Sequence, residues 1–278
     1  MSVRHDQRVS RRVQVVAHRG SSGSHPEHTL QAFEAALADG VDALECDVRL
    51  TRDGVLVCVH DRKVDRTSDG RGVVSTLELK DLHELDFASW KDRGRDPSIH
   101  ASWEQVDQDA GRVLTFERLL QLVLDHDGDH AVQLQVETKH PTRYGALVER
   151  GLIDLLERYA LTRPLTRSSS RVAVLSYSST SLRRVHALAP KLPTVLNMNR
   201  VPLRLRDGSL PPHVWAASVC LQVLREHPRY VQRVHSAGGR VHVFTVDEPD
   251  DIAYLLDLGV DAIISNEPAR VLRMAGRG

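Results

Sequence analysis

The stretch from Gly40 to Asp61, GVDALECDVRLTRDGVLVCVHD, decides the fold that the sequence predicts. It reads as a strand, a turn and a second extended run that ends at His60. Glu45 and Asp47 lie two residues apart, so in a strand they point to the same face, while the apolar residues between and around them point to the other. The stretch therefore predicts a buried strand that carries two carboxylates, with an imidazole just beyond the next turn.

Strand and helix candidates alternate on both sides of this stretch. Hydrophobic periodicity predicts strands at 13–17, 42–49, 55–59, 131–138, 171–176, 194–197, 218–222, 240–246 and 261–265. It predicts helices between Thr29 and Gly40, near 77–85, and at 115–124, 143–159, 179–188, 229–237 and 249–258, with a weaker one at 210–216 and a last one after Pro268. The run at 55–59 extends the second strand after a turn, and the helix near 77–85 belongs to an insertion. The remaining eight β/α units, in roughly 265 residues from Val13, favour an α/β fold of the (β/α)8 TIM-barrel type.

The domain organisation follows from the two regions where this alternation stops. Residues 1–12 are polar and rich in arginine, which predicts a disordered or loosely held N-terminal tail. Residues 13–278 are expected to form one barrel domain. From about 62 to 113 the sequence is rich in Gly, Asp and Arg, which predicts an insertion after the second strand. Long insertions in barrels usually sit over the active face.

The composition excludes several classes of partner. Apolar residues make up 41% and charged residues 27% of the chain, and 37 basic residues balance 37 acidic ones. This balance gives no support to a nucleic-acid partner or a membrane-surface footprint. No segment approaches the ~18 consecutive apolar residues of a membrane span, so we expect no stable membrane insertion. The three scattered cysteines indicate a reducing compartment, and we expect a cytoplasmic protein.

Carboxylates on two strands indicate a metal site. Glu45 and Asp47 on the second strand, and Glu137 on the strand at 131–138, all fall near the strand ends where barrel active sites lie. Three converging carboxylates repel one another unless a cation lies among them, and oxygen ligands favour Mg²⁺ or Ca²⁺ over Zn²⁺. An ion-pair network, for instance Glu137 with Lys139 or Arg49, is the alternative that this spacing leaves open.

Two histidines are placed to overlook the same carboxylates. His18 ends the first strand and His60 follows the second. Two imidazoles beside a phosphate suit general acid and base roles near neutral pH. Arg19 and Lys139 are suited to neutralise a phosphate. His242 shares parity with its neighbours inside a later strand and is interpreted as an interior packing residue.

These residues, taken together, resemble the glycerophosphodiester phosphodiesterase family. The matching motifs run in order along nearly the whole chain, from about residue 15 to 268. They are His18-Arg19-Gly20, Pro26-Glu27-His28-Thr29-Leu30, Glu45-Cys46-Asp47-Val48, His60-Asp61 with Arg66-Thr67, Glu137-Thr138-Lys139, Phe244-Thr245-Val246 and Gly259-Val260-Asp261. Each motif is short, but the ordered set is specific.

The resemblance implies a metal-dependent hydrolase in a (β/α)8 barrel. It implies that glycerophosphodiesters, such as glycerophosphocholine or glycerophosphoethanolamine, are cleaved to sn-glycerol 3-phosphate and an alcohol, with one divalent cation, Mg²⁺ or Ca²⁺. It implies that the metal ligands are Glu45, Asp47 and Glu137. It also implies an acid/base pair of His18 and His60, and phosphate-binding cations at Arg19 and Lys139.

Three positions depart from the common family pattern. His28 replaces a usual Asn, Phe244 replaces a usual Trp in the wall that lines the substrate, and Asn266 stands where Asp is frequent. None of them is a metal or acid/base residue. The alternatives are a phosphodiesterase of the sphingomyelinase D type and a barrel that binds phosphate without catalysis. The balanced charge and the absence of an export signal disfavour the first, and the intact set of site residues disfavours the second.

Overall fold

Eight parallel strands close into a barrel in the computed structural model, which describes residues 12–91, 111–126, 128, 130–142 and 145–277. The strands in chain order are β1 (Gln14–His18), β2 (Ala43–Leu50), β3 (Leu56–Cys58), β4 (Gln133–Thr138), β5 (Val172–Ser176), β6 (Thr194–Met198), β7 (Ala216–Cys220), β8 (Arg240–Phe244) and β9 (Ala262–Ser265). The pairing of β1 with β2 closes the ring, and β3 joins β2 from outside it as an antiparallel strand. The predicted (β/α)8 barrel is confirmed.

Helices follow the barrel strands and pack on the outside of the ring. They are α1 (Leu30–Ala38), α2 (Leu79–His83), α3 (Phe116–Asp125), α4 (Leu147–Arg158), α5 (Ser179–Leu188), α6 (Leu221–Glu226), α7 (Arg229–Ser236), α8 (Pro249–Leu258) and α9 (Pro268–Met274). The hydroxyl of Thr29 accepts the Ala32 backbone N–H at the start of α1, as the sequence predicts. None of the helices in these described parts is long and apolar enough to cross a membrane.

The alternation along β2 separates the helix layer from the barrel interior. Leu44, Cys46 and Val48 belong to the main apolar core, which the strands share with the surrounding helices. Glu45 and Asp47 point the other way, into the barrel, where small apolar clusters fill the interior next to the polar residues. The predicted parity of this strand is therefore confirmed. The carboxylates are held in place because a one-residue slip would bury them among the helices.

Two predicted elements after β6 are wrong. The helix expected at 210–216 is absent, and turns lead from there directly into β7. Pro211 and Pro212 lack backbone N–H groups, and each disfavours helical geometry in the residue before it. The strand expected at 218–222 begins two residues earlier and ends at Cys220, where α6 begins at once and buries Val223 and Leu224 against the barrel.

The predicted insertion has a small apolar core of its own. In its described parts, 62–91 and 111–113, Val64, Val74, Leu82 and Phe87 pack with the β3 region in a cluster separate from the main core. The expected helix near 77–85 is α2. Residues 1–11 and 92–110 lie outside the described residues, so the tail and the domain bounds stay predictions.

Candidate active site

Three carboxylates meet inside the C-terminal mouth of the barrel. Asp47 on β2 pairs in register with Glu137 on β4, and Glu45 lies one inward position below Asp47. One oxygen from each of the three carboxylates lies within 4.8 Å of the others. All three side chains are buried. Among the described residues this is the one cluster of three or more acidic, histidine or cysteine side chains with such spacing.

Two cations contact this acidic cluster. Lys139 Nζ lies 2.7 Å from Asp47 Oδ1 and 2.8 Å from Glu137 Oε1. Arg19 Nε lies 3.1 Å from Asp47 Oδ2. The ion pair of Glu137 with Lys139, named as the alternative to a metal site, is therefore present. Among the residues that the structure describes, three carboxylates face only two contacting cations, so the cluster is short of positive charge.

The pKa values of the three carboxyls shift in different directions. Burial opposes ionisation of Asp47, but Lys139 and Arg19 outweigh it and hold the Asp47 pKa far below its usual value. Burial, with the charge of Asp47, raises the pKa of Glu45 well above its usual value and also raises that of Glu137. Asp47 is thus satisfied by its two cations, whereas the other two carboxylates need a further positive charge.

The donor set fits a hard divalent cation. All three candidate ligands are carboxylate oxygens, which are the donors that Mg²⁺ and Ca²⁺ prefer, and no described cysteine or histidine joins the cluster. The raised pKa values of Glu45 and Glu137 are what such a site shows without its ion. Asn197 Nδ2 donates to Glu137 Oε2 at 3.0 Å, which orients that carboxylate.

His28 supports Asp47 from the loop after β1. Its backbone lies in the left-handed region with φ at 62°, where Asn is favoured and His is also enriched, which accounts for a His at a position where the family usually has Asn. Its Nε2 accepts the Asp47 backbone N–H at 3.0 Å. Burial lowers the pKa of His28 to about 3, so the ring is neutral and fixes Asp47 without adding charge.

His18 is held by a chain of two side chains from the loops after β9, the neighbour of β1, and β8. Asn266 Oδ1 lies 2.7 Å from His18 Nδ1, and Asn266 Nδ2 donates to Asp247 Oδ2 at 2.7 Å. Since this amide oxygen can only accept, Nδ1 of His18 carries the proton and Nε2 is a free acceptor, 4.0 Å from Glu45 Oε2. Burial, then the charge of Arg19, lowers the His18 pKa to about 4.

His60 has a carboxylate partner instead of an amide. Asp61 Oδ1 lies 2.7 Å from His60 Nδ1, and Arg66 Nε donates to Asp61 Oδ2 at 2.6 Å. Arg66 also forms two hydrogen bonds to Glu27, whose carboxylate binds Arg19 at 2.9 Å. Burial lowers the pKa of His60 while Asp47 and Asp61 oppose that shift. The insertion therefore braces the loops that carry both imidazoles.

An aromatic pair lines the side of the mouth opposite β2. Phe244 at the end of β8 is half-buried and meets the Tyr177 ring nearly edge-on, with centroids 6.1 Å apart. The Tyr177 hydroxyl donates to Asn199 Oδ1 at 3.2 Å. His242 lies deeper, buried against the edge of Trp215, which confirms it as an interior packing residue.

Sequence reasoning missed several supporting residues. Asn197 and Asp247 were not singled out, and Glu27 and Asp61 were quoted only as parts of motifs. One signal was available for Asn197: it alternates with apolar Leu196 and Met198, so it faces the barrel interior near the C-terminal end of its strand. Asp247 follows β8 on a loop, where the strand period no longer predicts which way a side chain points.

Known proteins are similar to this chain along most of its length. A family model described as the glycerophosphoryl diester phosphodiesterase family matches residues 18–270. A Mycobacterium tuberculosis protein described as a probable glycerophosphodiester phosphodiesterase 1 is 44% identical over 258 residues, covering 92% of this chain and 90% of its own. A glycerophosphodiester phosphodiesterase of Bacillus subtilis is 33% identical over 259 residues, covering 92% and 84%.

A solved structure agrees with the barrel described above. It is an Oleispira antarctica phosphodiesterase in complex with the product sn-glycerol-3-phosphate, and it superposes with a TM-score of 0.78 at 24% identity, covering 94% of this chain and 96% of that one. At that identity the likeness speaks for the fold alone. The family match and the two relatives go further, because they extend over nearly the whole chain. The protein therefore belongs to the glycerophosphoryl diester phosphodiesterase family, a family of phosphodiester-cleaving enzymes.

Proposed function

We propose that the protein hydrolyses glycerophosphodiesters to sn-glycerol 3-phosphate and an alcohol, using one divalent cation and a pair of histidines. The observation that carries this proposal is the convergence of three buried carboxylates, within 4.8 Å, at a barrel mouth flanked by His18 and His60. Deacylated phospholipids such as glycerophosphocholine and glycerophosphoethanolamine are the proposed substrates, which places the enzyme in lipid and glycerol metabolism. We retain the cytoplasm as its proposed location.

Glu45, Asp47 and Glu137 are the proposed ligands of the cation, for which we propose Mg²⁺ or Ca²⁺. The bound ion would contribute the positive charge that draws phosphate oxygens into the site and offsets charge that builds in the transition state. Arg19 and Lys139 already lie against Asp47 and would face the same phosphate oxygens. The phosphate would thus sit between two side-chain cations and the acidic cluster, where water is scarce and electrostatic attraction is strong.

His18 and His60 would move the protons. Both rings are held through Nδ1, one by Asn266 and the other by Asp61, which leaves both Nε2 atoms free for the reaction. One Nε2 would take the proton of the attacking hydroxyl, and the other would give a proton to the leaving alcohol. The base must start neutral and the acid must start protonated. The partner of His18 is an uncharged amide, whereas the partner of His60 is a carboxylate, which favours a protonated ring.

Phe244 would line the glycerol side of the substrate. Its ring, at the end of β8, meets that of Tyr177, which follows β5, and the two form an apolar wall that suits the carbon backbone of glycerol. The Oleispira antarctica enzyme binds sn-glycerol 3-phosphate, which agrees with a site that releases this product.

A coupled assay of sn-glycerol 3-phosphate release tests the proposal. We expect hydrolysis of glycerophosphocholine that stops after exhaustive treatment with EDTA and returns with one of Mg²⁺, Ca²⁺ or Mn²⁺. Full activity after chelation would refute the metal site. Binding of the diester without release of glycerol phosphate under any of these ions would favour a non-catalytic barrel, and cleavage of sphingomyelin instead would favour the sphingomyelinase D alternative.

A further inference from the structure

A cavity of about 330 Å³ opens beside the acidic cluster, between the end of β2, the insertion and the loop after β4. We call it the basic cavity. Leu50, Val74 and Val148 form part of its apolar wall, and Arg49, Arg62 and Lys139 supply its charges. Its volume lies within the range of ~300–1,000 Å³ that small-molecule sites occupy.

The charge of the basic cavity has one sign among its described lining residues. Three cations face it and no carboxylate does. Two of these cations already have partners: Lys139 contacts Asp47 and Glu137, and Arg49 donates twice to the His60 carbonyl oxygen. Arg62 is exposed, and its guanidinium forms no ion pair with any residue that the structure describes. The cavity therefore offers one cation to an incoming ligand.

The basic cavity also reaches the reaction centre. Lys139 forms part of its wall and lies against two of the proposed metal ligands. Arg49, which also lines the cavity, donates to the backbone carbonyl oxygen of His60. A group that extends from the phosphate past Lys139 would thus enter this cavity, on the side of the mouth opposite the Phe244 wall.

A second cleft, of about 400 Å³, lies at the other side of the mouth next to His18 and has a different character. Its lining includes the carboxylates Glu27, Asp247, Glu248 and Glu267. Its two arginines are already engaged, since Arg19 binds Glu27 and Arg270 donates to the Asp247 carbonyl oxygen. This cleft is acidic, because four carboxylates line it against two arginines that are already engaged, so the two sides of the mouth differ in sign.

We infer that the basic cavity is the headgroup subsite and that it selects alcohols carrying a negative charge, such as a second phosphodiester or a carboxylate, over choline. This inference rests on the proposed function, because it places the glycerol at the Phe244 wall and the departing alcohol at the opposite side. Arg62 is then a specificity-determining residue. The apolar wall accommodates the carbon chain of the headgroup, and Arg62 pairs with its anionic end.

Kinetics with two substrates of opposite headgroup charge test this inference. The probes are bis(glycerophospho)glycerol, whose leaving alcohol carries a second phosphodiester, and glycerophosphocholine. The measured quantity is the ratio of their kcat/KM values at low ionic strength. Arg62→Glu is expected to lower this ratio by roughly 3- to 10-fold, as expected for one partly exposed ion pair, and Arg62→Ala to lower it by less in the same direction. Raising the salt should shrink the wild-type ratio.

The matched control is Lys63→Glu, which makes the same charge change at an exposed neighbour outside the cavity lining. It should leave the ratio unchanged. If Arg62→Glu and Lys63→Glu gave the same ratio as the wild type while both diesters were hydrolysed, the headgroup subsite would be refuted and the proposed function would stand. If neither diester were hydrolysed with any divalent ion, the proposed function would fail with it.

Discussion

Glu45→Gln and Asp47→Asn should affect the metal-free protein in opposite ways, although both should weaken metal binding. Asp47 is buried, and it contacts Lys139 at 2.7 Å and Arg19 at 3.1 Å. Replacing it with an amide removes the carboxylate that the two buried cations share, and leaves Lys139 with Glu137 alone and Arg19 with Glu27 alone. Breaking a buried pair costs about 3–5 kcal/mol, which corresponds to roughly 6–20 °C in melting temperature for a domain of this size.

Glu45 differs because its ionised form is already disfavoured. Burial and the Asp47 charge raise its pKa well above the usual value. A glutamine removes that ionisation cost and can still accept the Arg19 backbone N–H, which now lies 3.2 Å from Glu45 Oε2. The free energy of unfolding in EDTA should therefore stay level or rise in Glu45→Gln, even though the substitution deletes a proposed metal ligand.

The stability gained by Glu45→Gln over the wild type should depend on pH. A carboxyl whose pKa is raised by folding destabilises the protein as pH increases from its unfolded pKa, about 4.3, toward its folded pKa. The stability difference between Glu45→Gln and the wild type should thus widen above pH ~4.3 in EDTA. The assay is thermal or urea unfolding in EDTA at several pH values, with calorimetric titration of Mg²⁺ as the second readout. An equal loss of stability in both variants would refute the electrostatic argument.

Two further substitutions separate metal binding from proton transfer and from ligand positioning. His60→Ala should lower kcat while it largely spares Mg²⁺ affinity, because His60 lies outside the acidic cluster, and the exposed His227→Ala is its control; near-normal turnover in His60→Ala would remove it from the acid/base pair. Asn197→Leu should weaken Mg²⁺ binding by roughly 10- to 100-fold, since it deletes the 3.0 Å bond that orients Glu137; an unchanged titration would show that Glu137 needs no such support.

The sequence predicted the barrel and the central residues of the site because both depend on short-range periodicity. A period of two put Glu45 and Asp47 on one face of β2, and the parallel ladder then brought Glu137 next to Asp47. The prediction of a helix at 210–216 was wrong because it followed the apolar spacing and gave too little weight to the two prolines. In the folded chain these prolines lack the N–H donors that a helix needs.

The partners of His18 could not be predicted in this way. Asp247 and Asn266 lie on loops beyond β8 and β9, where neither the helix period nor the strand period predicts which way a side chain points. They reach His18 only because the barrel closes through the pairing of β1 with β9. Nor does spacing show that Lys139 contacts two carboxylates at once. Such contacts depend on barrel closure, which brings the first strand beside the last.

Arg66 restricts what could replace the insertion in this barrel. Its side chain joins Glu27, which holds Arg19, to Asp61, which holds His60. An insertion transplanted from a relative would need an arginine in the same place, or Glu27 would keep only Arg19 and Asp61 only His60 as a partner. Arg62, four residues earlier, has no such bond to any residue that the structure describes. The insertion is therefore modular only in part: one arginine is an attachment point to be kept, and the other is a position where new specificity can arise at little cost to the fold.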